Sequence, residues 1–262
     1  MRKLVVAMLT VLLVGSGISA AQAKSKYSVT LAVSATKIEL GASVKLTGKV
    51  SPKAKGSSVK IQRQYVGGAW KTIATRKLTK AGTYAVSIKP TAGGPTKFRV
   101  LKSKSSKRNA GVSTVRSLDV WRWVDLVTTP TDFVIGDGVN SATGSINGTS
   151  FGHSLEVDSP GAFLGWDLTN RRCDAFRTYA GLMTSSISNG GDLNIALFSN
   201  SSYFTVDGEK IATRNGFQAA DDPTYIWRSL VGETKKHLGI SFSGIGSLAR
   251  GIVAEPAVHC NS

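Results

Sequence analysis

From Tyr27 to about Val120, apolar and polar residues alternate in short runs: ASVKLTGKV, SSVKIQRQYV, AWKTIATRKL, GTYAVSIKP and TKFRVLK. Val44 and Leu46, Val59 and Ile61, Tyr84, Val86 and Ile88, and Phe98 and Val100 recur at period two. That spacing puts side chains on one face of a β-strand. Lys45, Lys49, Lys60, Lys89, Lys97 and Arg99 take the opposite phase. Gly67-Gly68, Lys80-Ala81-Gly82 and Gly93-Gly94-Pro95 punctuate the runs as turns. The pattern predicts a small antiparallel sandwich with an apolar interior and a basic exterior. KSKSSKRNAG, 102–111, reads as a loop before a last strand, GVSTVRSLDV, which sets a boundary near Val120.

The remainder opens with VWRWVDLVTTP and continues as short strands separated by Gly-, Ser- and Asn-rich turns. No 3.6-residue periodicity persists beyond a turn or two. Asp207-Gly208 reads as a two-residue hairpin turn between SSYFTV and EKIAT. The expected fold class is all-β, two β-sandwich domains, with residues 24–119 forming the first and 120–262 the second.

Composition refines this picture in three ways. Met1-Arg2-Lys3, the apolar run Leu4 to Val14 and the small-x-small sequence Ala21-Gln22-Ala23 read as a cleaved secretory signal, residues 1–23. The apolar run is shorter than the ~18 to 20 residues that a spanning helix needs, so no transmembrane segment is expected. Export makes Cys173 and Cys260, the two cysteines, an expected disulfide. They stand 87 positions apart, a closed loop worth roughly 4 to 5 kcal/mol in the chain-entropy picture. Charge is divided: 22 of the 33 Lys/Arg but only Glu39 of the 16 acids precede residue 111, so the formal +17 splits into +21 and −4.

LGASVKLTGKVSP, SVKIQRQYVGGAWKTIATRKLTKAGTYAVSIKP and KFRVL resemble the Ig-like modules of secreted actinobacterial proteins. That resemblance implies a fold and a spacer or adhesion role. In the second part, Phe151-Gly152-His153-Ser154, Trp166-Asp167-Leu168, Phe176, Gly181, Asp207-Gly208 and Leu238 are similar to the NPCBM/NEW2 carbohydrate-binding family. This implies a galactose-binding-like jelly roll over most of residues 120–260. Two departures bear on any ligand or calcium site in that family's pattern: Leu182-Met183-Thr184-Ser185 replaces an acidic pair, and a Trp near the end is missing.

The candidate chemistry is sparse. Ser57 and Lys60 match Ser-x-x-Lys, but a strand sends them to opposite faces. Asp137, Glu156, Asp158, Asp167, Asp221 and Asp222 could supply the carboxylate pair of a glycosidase, though most sit in turn contexts. Asp137-Gly138-Val139-Asn140 lacks the order of an EF-hand loop, and no cofactor is expected; a structural calcium held by loop carbonyls leaves no signature. Sugar binding wants exposed aromatic rings beside polar groups. Trp121, Trp123, Tyr203, Tyr225, Trp227 and Arg228 qualify by type. Trp121 and Trp123 share a face and are expected at a domain interface or in the core, leaving His153, Tyr225, Trp227 and Arg228 as the candidate ligand-binding residues. Lys45, Lys49, Lys60, Lys97 and Arg99 are the candidates for holding polyanions such as anionic wall polymers. Nucleic acid is not expected, since export removes it and no aromatic-basic platform is visible. The expectation is a secreted, non-catalytic carbohydrate-binding or cell-surface adhesion protein. The alternatives are a spacer retained on the anionic cell wall by its basic domain, and a small glycoside hydrolase.

Overall fold

The computed structural model describes residues 24–130, 133–135, 139–158, 161–169, 171–186, 193–200, 209–218, 220–231, 237–243 and 250–261. The signal segment, Asp137, Tyr203 and the Asp207-Gly208 turn lie outside them. Ten strands carry the first half: β1 (Ser28–Val29), β2 (Ala32–Val33), β3 (Lys37–Glu39), β4 (Val44–Ser51), β5 (Ser58–Tyr65), β6 (Lys71–Lys77), β7 (Thr83–Ile88), β8 (Gly94–Lys102), β9 (Gly111–Val112) and β10 (Arg116–Asp125). Ten follow: β11 (Phe133–Ile135), β12 (Val139–Ile146), β13 (Thr149–Val157), β14 (Phe163–Asp167), β15 (Arg172–Leu182), β16 (Leu193–Asn200), β17 (Glu209–Phe217), β18 (Thr224–Ser229), β19 (His237–Ser243) and β20 (Gly251–Asn261). A 3-10 turn, Thr184–Ser186, follows β15.

The all-β expectation holds, and the strands pack as two sandwiches. In the first, β1, β2 and β7 flank β4 and face a sheet built from β6, β5, β8 and β10, with β3 and β9 at its margins. In the second, β12, β13, β20, β15 and β18 face a five-stranded sheet in the order β11-β14-β19-β16-β17. The strand expected to end at Val120 is broken instead, and its second piece, β10, runs on to Asp125. β10 pairs with β8 through Arg116 to Val120 and with β20 through Arg122 to Asp125. The two larger sheets are therefore one sheet of eleven strands. β17 takes β16 as its hairpin partner, with Glu209 opposite Ser199.

The alternation along β10 explains how one strand serves both halves. Leu118 and Val120 enter a core with Val44, Leu46, Val59, Ile61, Tyr84, Val86, Phe98 and Val100. Val124 and Leu126 enter a second core with Leu164, Trp166, Phe176, Leu238, Ile240, Phe242 and Val258. Trp166 is fully buried, and its indole N–H donates to the Leu126 carbonyl at 3.2 Å, so the polar edge of this large side chain is satisfied. The Cys173–Cys260 disulfide closes across β15 and β20, where the two residues are register partners. Gly181 on β15 has a packing cause, since a Cβ there would lie 2.6 Å from Ile146 Cγ2.

The odd residues of β10, Ser117 to Asp125, make the outer face, and a polar cluster seals the seam there. The His259 side chain is largely enclosed, with Nδ1 2.5 Å from Asp174 Oδ1 and Nε2 3.0 Å from Glu39 Oε2. Lys37 Nζ contacts Asp174 Oδ2 at 2.9 Å and stands 4.0 Å from the Trp121 ring centre, and Trp121 stacks on His259 at 5.2 Å. Arg172 Nη2 and Asp119 Oδ1 add a second pair across the seam at 2.9 Å.

Burial raises the Asp174 pKa, but hydrogen bonds from Lys37 and His259 and their positive charges outweigh it and hold the carboxyl below its ordinary 3.8. A folded value below the unfolded one contributes stability that is full above the unfolded pKa and is lost as pH falls through the folded pKa. Asp174→Asn is expected to cost about 2 kcal/mol at neutral pH. It should also flatten the loss of stability on acidification below about pH 3.9. Urea unfolding of both chains at neutral pH and down the acid limb checks this, and an unchanged acid slope in the variant refutes it.

Candidate functional site

The outer face of the second sandwich carries a cleft of about 290 Å³ at the point where the register of β20 and β15 slips. Arg177 lies opposite Ala257, whereas Tyr179 lies opposite Ala254, so Glu255 and Pro256 bulge out of the ladder. Glu255 takes a φ of 49°, in the left-handed region that side chains other than glycine rarely occupy. Bulges of this kind re-aim side chains and recur beside functional sites. The buried Thr178 hydroxyl donates to the Ala254 carbonyl at 2.9 Å, and the Leu126 N–H donates to the Pro256 carbonyl at 2.9 Å. These bonds hold the bulge from both flanks.

Five side chains converge on this cleft: Trp123 and Asp125 from β10, His153 from β13, Arg177 from β15 and Glu255 from the bulge. The Asp125 carboxylate is fixed at both oxygens. Oδ2 lies 2.6 Å from His153 Nδ1, and Oδ1 accepts the Val127 N–H at 2.8 Å. Burial raises the Asp125 pKa, yet the His153 hydrogen bond, the backbone hydrogen bonds and the nearby imidazole outweigh it and hold the carboxyl below 3.8. The Arg177 guanidinium stacks 4.2 Å from the Trp123 ring centre, which orients its planar fork of donors. His259 stands 5.0 Å from the same ring on the seam side. The cleft thus offers fixed acceptors and donors on an aromatic support, an arrangement suited to a ligand rich in hydroxyl groups.

Beyond Arg177 the same face continues onto β18. Trp227 is the register partner of Arg177 and Tyr225 that of Tyr179. Trp227 is 48% and Tyr225 51% exposed, and the Tyr179 and Tyr225 rings lie 5.1 Å apart. Three strand spacings, about 14 Å, separate β10 from β18.

The sequence candidates are partly brought together. His153 lines the cleft, and Tyr225 and Trp227 share its face. Arg228 does not join them: it is the partner of Phe176, in the core-facing phase at an exposed strand end, and its guanidinium donates to the Trp227 carbonyl at 3.0 Å. Trp121 sits at the seam, as expected, whereas Trp123 lines the cleft and corrects its assignment to interface or core. Lys45 and Lys49 lie on β4, and Lys60, Lys97 and Arg99 on β5 and β8 of the opposing sheet, so the five divide between two surfaces. Arg99 stacks 4.2 Å from the Trp70 ring centre, and its Nε donates to Gln62 Oε1 at 2.8 Å.

The described carboxylates considered for hydrolysis are held in separate local contacts. Glu156 pairs with Arg250 at 2.6 Å, Asp167 stands 3.6 Å from His237 and accepts the Thr169 N–H, Asp221 accepts the Gln218 N–H, and Asp222 accepts from the Asn147 amide. The Ser57 hydroxyl donates to the Ala54 carbonyl, a local turn bond. Among the described residues no cluster of three His, Cys, Asp or Glu could hold a metal ion, and no helix is long and apolar enough to cross a membrane. Asp125, Arg177 and Glu255 escaped the sequence reading. Asp125 alone carried a signal, the shared phase of Trp121, Trp123 and Asp125.

No protein-family model matches the sequence, and no curated protein matches it. Similar solved structures include the CBM51-2 and INT domains of Clostridium perfringens ZmpB, at 12% identity over 64% of this chain with a TM-score of 0.45. The chain spans 37% of that structure. The tandem CBM22-1 and CBM22-2 domains of Paenibacillus barcinonensis Xyn10C match at 10% identity, covering 90% of this chain and 94% of that one with a TM-score of 0.33. The K3 cleaved adhesin domain of Lys-gingipain from Porphyromonas gingivalis matches at 10% identity over 53% of this chain and 90% of its own, with a TM-score of 0.32.

His153→Ala removes the first hydrogen bond and the positive partner that lower the Asp125 pKa. The Asp125 carboxyl should then titrate at higher pH than in the parent chain. Carboxyl carbon NMR read across the acid range measures the shift, and an unmoved titration refutes the coupling.

Proposed function

We propose that this chain is an exported, non-catalytic carbohydrate-binding protein. On this reading, residues 24–119 form a basic Ig-like domain and residues 120–262 an NPCBM/NEW2-like domain that holds the glycan. The observation that carries the proposal is the cleft itself, where Asp125, His153, Arg177 and Glu255 converge on Trp123 and an exposed Trp227 continues the same face. Directional hydrogen bonds to hydroxyls come from the four polar groups, and the apolar face of a sugar ring packs on the exposed indole. The distance between β10 and β18 suits an oligosaccharide running across the strands rather than a single sugar.

Binding is favoured over hydrolysis by the way Asp125 is held: both its oxygens are engaged, by the His153 ring and the Val127 N–H, so it serves as a fixed acceptor. Retention on an anionic wall polymer is a second activity that the charge division favours, because almost all charges of the first domain are positive. The two are separable, since sugar binding in the cleft tolerates salt and attraction between exposed charges does not.

Calorimetric titration of the two-domain chain with a panel of neutral and uronic oligosaccharides tests the first activity. Trp123→Ala and Trp227→Ala should each weaken the best ligand about tenfold or more, the scale of losing a buried aromatic contact. If no member of the panel binds the parent chain, the reading fails. For the second activity, protein bound to isolated cell envelopes should elute with moderate salt when Lys60, Lys97 and Arg99 are intact, and bind several-fold less when all three are replaced by Gln. Unchanged binding of that variant refutes the role of this face.

A further inference from the structure

The outer face of the first sandwich also holds a guanidinium stacked on an indole. Val59, Ile61, Phe98 and Val100 take the buried phase of β5 and β8, so Lys60, Gln62, Lys97 and Arg99 take the outer one, with Gln62 the register partner of Arg99. Half-buried Trp70 is carried there by the hairpin between β5 and β6, which the Gln64 amide closes by donating to the Gly68 carbonyl at 2.8 Å. The Trp70 ring centre lies 4.2 Å from the Arg99 guanidinium, and Arg99 Nε donates to Gln62 Oε1 at 2.8 Å. Gln62 is held in turn, its Nε2 donating to Thr72 Oγ1 at 3.4 Å.

The ring fixes the plane of the guanidinium, and the Gln62 bond fixes its rotation within that plane. One edge is left, the Nη1 and Nη2 pair. Among the described residues Arg99 makes no other hydrogen bond, and neither of these nitrogens is enclosed, so the edge opens to solvent. It presents parallel N–H donors, whose complement is a group with two equivalent acceptor oxygens on one atom, a carboxylate or a phosphodiester. A hydroxyl meets one donor and leaves the other.

The surroundings are cationic. Lys97 stands two residues along the same strand and Lys60 on the cross-strand diagonal, each about 7 Å from Arg99 along the backbone. The acids nearest in sequence and register are engaged at the seam, Glu39 by His259 and Asp119, the partner of Pro95, by Arg172. Gathering Lys60, Lys97 and Arg99 on one face costs stability through their mutual repulsion. A Thr at 99 would suit an exposed strand position without that cost. Stability therefore gives no reason for a fixed Arg here, and recognition of an anion does.

We propose that the outer face of β5 and β8 is an anion site in which the Arg99 fork takes one carboxylate or phosphodiester group of a polyanionic chain end-on. Trp70 and Gln62 position the fork, and Lys60 and Lys97 hold the neighbouring anions. The site rests on the reading of charge-driven retention given above and adds to it a directional contact that charge alone does not supply.

The test uses the full two-domain chain and its Arg99→Lys, Gln62→Met and Lys97→Gln variants. The probes are a glycerol phosphodiester oligomer and an oligogalacturonate of equal charge, titrated by calorimetry at several salt concentrations, with NMR read at the Arg99 Nε–H of the parent chain. Saturable movement of that resonance, with binding about fivefold or more weaker in Arg99→Lys at every salt concentration, supports the site. The salt dependence of Arg99→Lys should match the parent's because the charge is kept, whereas Lys97→Gln flattens it. Gln62→Met changes no charge and should weaken binding several-fold. Whichever probe loses affinity in Arg99→Lys names the source of the anion, phosphodiester or uronate. Parent-like binding by Arg99→Lys or by Gln62→Met, or an unmoved Arg99 resonance in a chain that binds, leaves charge as the whole cause and overturns the proposal alone. Absence of binding to both probes overturns the retention reading and the site with it.

Discussion

Strand β10 is the constraint on which the rest of the structure depends. Its ladder is shared in sequence, Arg116 to Val120 with the first sandwich and Arg122 to Asp125 with the second. A strand can flip its faces only by slipping register, because side chains alternate strictly. Leu118 and Val120 must therefore point the same way as Val124 and Leu126, and the two cores lie on one side of a common sheet. The outward phase then has no choice either. Asp119, Trp121, Trp123 and Asp125 line up on the other side, with seam residues at one end and cleft residues at the other.

The electrostatics follow from the same continuity. Glu39 is the acid that the first 110 residues contain, and the parallel pairing of β3 with β10 sets it across from Trp121, within reach of His259. Elsewhere on that domain an acid would form scattered surface pairs worth little. At the seam it meets a largely enclosed imidazole whose other nitrogen faces Asp174, so three groups from two sandwiches share one hydrogen-bonded chain. The other charges before residue 111 are positive. Glu39 and Asp119 thus both link the domains at the seam, away from the lysines of the outer faces.

Much of this was legible in the sequence, and the part that was not has identifiable causes. The period-two runs gave the strands and the buried set of the first domain, because each of Val44, Leu46, Val59, Ile61, Phe98 and Val100 had a polar neighbour in the opposite phase. The lone pair of cysteines specified its own bridge. The same alternation in Tyr225-Ile226-Trp227-Arg228 already separated Arg228 from Trp227, although residue type alone groups them. Trp121 and Trp123 were legible as one face, but their different surroundings depend on where β10 exchanges β8 for β20, a property of long-range pairing. Arg177 and Glu255 carried no local signal. Their convergence requires the slip between Arg177 and Tyr179 opposite the bulge, and a bulge is not written in hydrophobic periodicity.

Polar groups that a core would reject are concentrated where the two sandwiches meet and where the β20 ladder bulges. Buried polar groups are costly unless satisfied, and the His259 imidazole is met by carboxylates from both sandwiches, although the indole N–H of the Trp121 stacked on it has no partner. Asp125 is satisfied as well, yet its partner His153 is 61% exposed and Arg177 rests on a ring rather than a carboxylate. The ion pairs of the seam cluster therefore tie the domains together, whereas the cleft, a few residues along the same strands, holds donors and acceptors whose remaining capacity faces outward. Because β10 and β20 run unbroken through both places, the rigidity gained at the first is what positions the side chains at the second.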